Sequence, residues 1–443
     1  MLWRVHKTFS HGIHPPEEKQ QTSQIPIQRF PFAPVMVIPL AQHIGKPAVP
    51  AVREGQEVAR GQVIARADGF VSVPIHAPVS GIIERIELVP SLSGKMVPGI
   101  YLKTSPDSTQ EVIEGVPCLA ESATPEEIIL AIQQAGIVGL GGAAFPTHVK
   151  LKTPAGKSVD TLIVNGVECE PYLTTDHRVM LEQTANIFMG VRYVLKASGA
   201  KRAIIAVEAN KQDAAQALRD AIPADLPVSV EVLPVKYPQG AEKLVIKALL
   251  GREVPSGAHS YEAHVIGVNV ATVAEIGRLL PHGQGIQERV ITIAGPAIKK
   301  KGNYRIPIGT PLRFVLDYVG VTGDLSKVFA GGPMMGQAVP YLDIPVTKGT
   351  SGFIAFTARV QGRRQRVFPC IHCGRCVDAC PMMLNPAQLG LLAKNGQFER
   401  MESDFNLMDC FECGACSFVC PAHIPLVQYF RVAKASRTKS KAA

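Results

Sequence analysis

CIHCGRCVDACP, residues 370–381, and CFECGACSFVCP, residues 410–421, are two copies of one pattern: Cys-x-x-Cys-x-x-Cys-x-x-x-Cys-Pro. Two residues between successive cysteines let the backbone curl around a cubane, while the fourth cysteine of such a run serves the other cluster. The ligand sets are therefore expected to cross. Cys370, Cys373, Cys376 and Cys420 would hold one [4Fe–4S] cluster, and Cys410, Cys413, Cys416 and Cys380 the other. Gly374 and Gly414 keep each loop small where backbone N–H groups can approach the sulfurs. Paired CxxC units also ligate zinc, but the third cysteine and the terminal Cys-Pro in both copies favour the cubane reading. This predicts a ferredoxin-like domain over 361–430, with a basic stretch, 361–366, leading into it.

Outward from that module, the composition is that of a large globular protein. The 443 residues are 46% hydrophobic with 39 Gly and 35 Pro, enough for several cores joined by tight turns. No apolar run approaches the roughly 18 residues of a membrane span, and the N-terminus, MLWRVHK, lacks the apolar core of an export signal. Eight of the ten cysteines fall between Cys370 and Cys420, which in an unexported chain of this size points to metal ligation rather than disulfides. Cys118 and Cys169 stand apart. Glu168 and Glu170 flank Cys169 and disfavour a thiolate, so neither cysteine is read as a nucleophile. The net charge of +9 is spread widely, but the last residues concentrate basic groups, at Arg431, Lys434, Arg437, Lys439 and Lys441. That tail, 431–443, reads either as a solvated, frayed end or as a patch attracted to anionic lipid or an acidic electron carrier. Nucleic acid is not expected as a partner, because no aromatic residues interleave the basic ones.

From about Pro34 to Leu102, short β-branched runs alternate with Gly and Pro: VREGQEVARGQVIARADGFVSVPIHAPVSGIIERIEL. This resembles the barrel-sandwich fold of lipoyl and biotinyl carrier domains. Phe70 stands where those carriers have the modified lysine, so a scaffold or docking role is expected. Thr124 followed by Pro125, Glu126 and Glu127 predicts a capped helix running to Gly136. Strands over 161–165, 203–208 and 228–235 then alternate with helices over about 178–197, 212–221 and 241–250, an α/β domain with a largely parallel sheet. The stretch 290–340 is β-rich with one helix near Leu312 to Val319, and resembles a soluble-ligand-binding β-grasp domain. The expected fold class is thus multidomain α/β and α+β. The expected boundaries are an N-terminal segment 1–32, barrel-sandwich 33–117, α/β domain 118–288, β-grasp 289–360, ferredoxin-like domain 361–430 and the tail.

GIVGLGGAAFPTHVK, residues 136–150, contains GxGxxA at Gly139, Gly141 and Ala144. It follows a predicted helix rather than a strand, so it is not the ordinary dinucleotide fingerprint. A loop of free N–H groups with a lysine behind it can still hold a phosphate. Together with VNGVECEPYLTTDHR (164–178), this loop resembles the flavin-binding signatures of the NADH-binding flavoprotein subunit of respiratory complex I. Over essentially the whole chain the order of features resembles the RnfC family, the C-type component of Rnf complexes, which are membrane-bound ferredoxin:NAD+ oxidoreductases. Those features are Gly12-Ile-His-Pro-Pro16, the barrel-sandwich, the glycine loop, the β-grasp and the two ferredoxin runs.

That resemblance implies FMN and NAD(H) as cofactors beside the two clusters. It implies that Gly139, Gly141, Gly142 and Lys150 cradle the flavin, and that Phe145 stacks on the nicotinamide nucleotide. It brings Asn165, Glu168 and Glu170 to flavin and NADH, places Tyr237 and Glu242 near the nicotinamide, and puts Asn269 and Thr272 against phosphate or ribityl groups. Glu242 and Glu170 are the residues nearest the chemistry on this reading. Read without the resemblance, such acids and amides are more often surface or capping residues. Three charges of the complex I flavoprotein are replaced, by Leu140, Val167 and Ala241. The resemblance further implies a peripheral subunit on the cytoplasmic face of the inner membrane. Its partners would be the membrane subunits, an iron–sulfur B-type subunit and, indirectly, ferredoxin or flavodoxin. Two rivals stay open: an iron–sulfur adaptor without flavin, and a flavin-dependent subunit of a soluble dehydrogenase or hydrogenase.

Overall fold

A computed structural model describes residues 7–154, 156–361 and 366–442. Most of the basic stretch before the cysteines, 362–365, and the first six residues lie outside them.

The barrel-sandwich forms as its turn punctuation requires. One antiparallel sheet orders Val35–Pro39, Met96–Thr104, Gly81–Pro90 and Glu57–Val58. The facing sheet orders Val49–Pro50, Val63–Arg66 and Ile75–His76. Inward alternation buries Ile38, Ile64, Ile83 and Ile100 completely, each worth about 1.5–3 kcal/mol. Phe70, at a turn tip, packs edge-on against His148 and gives its carbonyl to His148 Nε2 at 2.7 Å. The position that bears the lysine in carrier domains is here a contact with the helix behind the glycine loop.

Four parallel strands, in the order Val228–Leu233, Arg202–Glu208, Thr161–Gly166, Val265–Asn269, form the central sheet. The first expected helix, Pro125–Gln134, carries a full capping box between Thr124 and Glu127. The helix expected over 178–197 is instead two, Thr175–Glu182 and Thr184–Ser198, broken at Gln183. The strand Val265–Asn269 is not legible in the sequence, because its apolar run continues into the helix Val270–Leu279 with no Gly or Pro between them. In sequence order the strands read 3-2-1-4, so the order reverses between Thr161–Gly166 and Val265–Asn269. Open α/β sheets bind ligands outside the carboxyl ends of the strands at such a point.

The third unit is a six-stranded mixed sheet with the helix Leu312–Val319 packed on it. Its edge strand, Gln28–Arg29, pairs with Gly302–Pro307, and Phe30 packs against Tyr304 and Tyr318. The N-terminal segment is therefore partly built into this sheet. Lys348, fully buried, joins the three units: its Nζ donates to the carbonyls of Pro74 and Gly136, both at 2.7 Å. Burial lowers its pKa to about 7.

The C-terminal module repeats a short helix within each cysteine run, Arg375–Asp378 and Ala415–Phe418, and packs Leu389, Met401, Leu407 and Phe430 in its core. The tail is no frayed end. It belongs to the helix Leu426–Ala442, where Arg431 and Lys434 pair with Glu412, and Arg437 with Glu399 and Glu402. The acids it lacks in sequence are supplied in space. The side chains of Lys439 and Lys441 lie outside the described residues.

Candidate functional site

The glycine loop closes on itself. Gly139 N–H donates to Phe145 O at 2.8 Å, and Ala144 N–H to Gly139 O. Gly142 has φ +109° with open space where a Cβ would stand, so the backbone conformation rather than crowding requires glycine there. A Cβ on Gly141 would press on the Asn269 side chain at 3.3 Å. The loop is gripped from behind at Leu140: its N–H donates to Thr272 Oγ1, and its carbonyl accepts from Arg289 Nη2, both at 2.8 Å. Arg289 is wholly buried, and burial lowers its pKa to about 10, which keeps the guanidinium charged at neutral pH.

The neighbouring wall comes from the two strand ends at the switch point. Asn165 accepts from Val167 N–H and donates to Gly240 O. Asn269 caps its helix by accepting from Ala271 and Thr272 N–H, and donates to Asp176 Oδ2 at 2.7 Å. Glu168 accepts from Asp176 and His177 N–H and so caps the helix Thr175–Glu182. Asp176 is half-buried, and desolvation of its carboxyl, reinforced by the Glu168 charge, raises its pKa to about 7. Asn165, Glu168, Asn269 and Thr272 thus stand in the wall as expected, with much of their hydrogen-bonding capacity used to shape it.

These residues enclose a cavity of about 1150 Å³. A cleft for one drug-sized ligand measures roughly 300–1,000 Å³, so a flavin mononucleotide and a nicotinamide nucleotide can share it. Gly139, Gly141, Gly142, Phe145, Lys150, Asn165, Glu168, Glu170, Glu242, Asn269 and Thr272 all line it. Lys150 Nζ meets Glu242 Oε2 at 2.7 Å, leaving Glu242 Oε1 buried without a partner. Thr147 Oγ1 and Gln42 Nε2, on two other lining residues, are likewise buried and unpartnered. A cation, unspent donors and a glycine cradle are the donor set that a phosphorylated flavin and a nicotinamide carboxamide need.

Two expected residues are placed differently from the rest. Glu170 lines the cavity but turns its carboxylate to the N–H groups of Met334 and Met335; burial raises its pKa to about 7. Tyr237 stands behind the wall, 1% exposed, with its hydroxyl donating to Cys413 O at 2.5 Å. Cys169 is buried beside them, and that burial, then the charge of Glu208, pushes its thiol pKa well up. Sequence reasoning missed Arg289 and Gln42, which no motif surrounds, and passed over Asp176 and Thr147 inside the two quoted stretches, 164–178 and 136–150.

The cysteines of the two runs are neighbours in space across the runs as well as within them. Burial raises the Cys376 thiol, and the nearby charges that raise it further are those of Cys420, Cys370 and Cys373. Cys380, Cys410, Cys413 and Cys416 together wall a small cavity of their own. Burial holds Cys413 up at about 12, and Cys410 and Cys380 above their ordinary value. Four thiols around one void, Cys380 and Cys416 buried and Cys410 and Cys413 half-buried, become thiolates together only beside a strong positive charge, which is what a cluster's iron provides. Among the described residues no three His, Cys, Asp or Glu side chains close on a single metal ion; a cubane spreads its ligands wider than one ion does. Cys410 and Phe411 line both this void and the large cavity.

Comparison with known proteins follows the same divisions. Residues 7–107 match the family model for the RnfC barrel sandwich hybrid domain, 132–278 that for the Nuo51 FMN-binding domain, and 369–424 that for a 4Fe-4S dicluster domain. The chain is 43% identical to the C-type subunit of the Na(+)-translocating ferredoxin:NAD(+) oxidoreductase complex of Acetobacterium woodii, over 97% of each. It is 42% identical to the same component of the proton-translocating ferredoxin:NAD(+) oxidoreductase complex of Clostridium ljungdahlii, over 97% of this chain and 94% of the relative. To the C-type subunit of the ion-translocating oxidoreductase complex of Rhodobacter capsulatus the identity is 40%, over 96% and 82%. An NAD+-reducing [NiFe]-hydrogenase crystal structure shares the fold, with a TM-score of 0.50 at 19% identity over 72% of this chain and 65% of that one. The chain belongs to the RnfC family, the C-type subunits of ion-translocating ferredoxin:NAD+ oxidoreductase complexes.

Proposed function

We propose that this chain is the peripheral NAD(H)-linked electron-transfer subunit of a membrane-bound, ion-translocating ferredoxin:NAD+ oxidoreductase, carrying FMN and two [4Fe–4S] clusters. The observation behind the reading is a shared wall: Cys410 and Phe411, from the second cysteine run, line the same cavity as the glycine loop. Bound FMN supplies the exchange between hydride and single-electron chemistry, and the clusters supply one-electron carriage. The chain's own residues bind and orient. Lys150 offers a cation for phosphate, Phe145 a ring face for stacking, and Glu242 an unspent oxygen for a carboxamide N–H. Arg289 and Thr272 hold the loop that would lie against the flavin, and the enclosing walls limit water. No side-chain nucleophile is required.

Among the described residues no helix is long and apolar enough to cross a membrane. Ion translocation would therefore fall to membrane subunits of the complex, with an iron–sulfur B-type subunit as neighbour and ferredoxin or flavodoxin reached through it, at the cytoplasmic face. The test is anaerobic purification of the native protein, followed by iron, sulfide and flavin analysis and NADH titration read optically and by EPR. Two clusters and one FMN, reduced by NADH, are expected. Protein that carries clusters but releases no flavin on denaturation would leave the adaptor reading instead.

A further inference from the structure

Resting on that reading, we propose that Tyr237 is a positioning residue that fastens the second cysteine loop to the cavity wall. Its hydroxyl holds the main-chain carbonyl of Cys413 beside Glu170.

Four segments distant in sequence converge on this ring. The main chain of Tyr237 is held by Ile13, with each residue's N–H donating to the other's carbonyl at 2.9 Å. The ring is buried, and its hydroxyl donates to Cys413 O at 2.5 Å with the Glu170 carboxyl as a close neighbour. Glu170 in turn accepts from Met334 and Met335 N–H at 3.1 and 2.7 Å. The cysteine loop packs on that same segment: a Cβ on Gly414 would stand 2.8 Å from Met334 O. The hydroxyl thus ties the peptide of a proposed cluster ligand to the wall beside Glu170, which lines the large cavity. Removing it leaves Cys413 O without that donor in a dry site and frees the loop to shift. Hydrogen bonding and burial around cluster sulfurs are what set a cluster's potential. The effect should therefore appear on the cluster of Cys380, Cys410, Cys413 and Cys416 and spare the other.

The experiment is Tyr237→Phe in the full chain, purified anaerobically, with iron and FMN content, EPR spectra and EPR-monitored redox titration of both clusters beside the wild type. The expected result is a displaced spectrum and midpoint potential for the second-run cluster alone, with iron and FMN content retained. Unchanged spectra and potentials overturn the proposal, and a raised KM for NADH in that protein would return Tyr237 to the nicotinamide. A general structural role would disturb both clusters together, and that outcome also overturns it. If the Phe variant does not accumulate, 3-fluorotyrosine at position 237 keeps the ring and alters the hydroxyl's hydrogen-bond strength; an unaltered second-run cluster there overturns it equally. Wild-type protein lacking clusters or FMN would instead sink the functional reading itself.

Discussion

Lys150 and Glu242, 92 residues apart, form one ion pair at the mouth of the glycine loop, Nζ to Oε2 at 2.7 Å. On the proposed reading the lysine would serve the flavin and the glutamate the nicotinamide. Their contact means that neither ligand's side of the cavity can be altered without changing the charge felt by the other.

Both side chains are about a third exposed, 31% and 37%, so the pair itself contributes only about 0–1 kcal/mol to folding. Lys150→Ala should therefore fold normally while retaining less FMN. Flavin released on denaturation, measured against protein concentration, checks this; unchanged FMN content together with an unchanged diaphorase rate would remove the lysine from the flavin site.

Glu242→Gln should keep FMN bound and raise the KM for NADH, because the unpartnered Oε1 loses its charge while the shape of the wall is kept. Steady-state kinetics with an artificial acceptor reads the effect. A variant that unfolds or loses FMN would make the residue structural.

Arg289→Met withdraws a buried cation and the donor to the carbonyls of Leu140 and Thr350. Each buried acceptor left alone costs about 1–3 kcal/mol. The cation also favours added negative charge nearby, so the flavin's midpoint potential should fall. Spectroelectrochemistry checks this, with Arg289→Lys expected to recover part of the shift; an unchanged potential refutes it.

Glu170 makes stability depend on pH with a definite sign. Burial raises its pKa from 4.5 to about 7 in the folded protein. Below 4.5 both states hold the proton. Between 4.5 and 7 the folded state keeps a proton that the unfolded chain releases, so stability falls as pH rises and the cost is complete above 7. Glu170→Gln should gain about 3 kcal/mol relative to wild type between pH 4.5 and 8, at 1.36 kcal/mol per unit. Denaturant titrations across that range should show the gap opening; a constant gap means the carboxyl is ionised throughout.

Cys380→Ala should damage the cluster of Cys410, Cys413 and Cys416 and leave that of Cys370, Cys373 and Cys376 largely intact, although Cys380 follows the latter in sequence. Iron counts and EPR against Cys370→Ala and Cys420→Ala decide it. If Cys380→Ala loses the same signal as Cys370→Ala, and Cys420→Ala that of Cys410→Ala, each run closes its own cluster.

Local patterns carry the reading wherever the physics is local. Ligand spacing announces the cluster module, because a cubane constrains residues only a few positions apart. The Thr124 capping box and the strands Thr161–Gly166, Arg202–Glu208 and Val228–Leu233 are legible for the same reason, as cap chemistry and apolar runs operate within one element. The resemblance to known families then suggests the glycine loop and Asn165 as neighbours of a flavin and Glu242 as a neighbour of the nicotinamide.

Tertiary structure decided what those residues do for one another. Arg289 meets Leu140 across 149 positions, and Tyr237 meets Cys413 across 176. No periodicity records such pairings, because each is fixed only when separately folded layers pack and their buried polar groups must find partners. The same rule assigned Gln28–Arg29 to a distant sheet, since an open strand edge needs a partner. It also drew the basic tail onto Glu399, Glu402 and Glu412. Sequence determined which chemistry the chain carries, through ligand types and spacings. Packing alone set which side chains brace the cavity and which join it to the clusters.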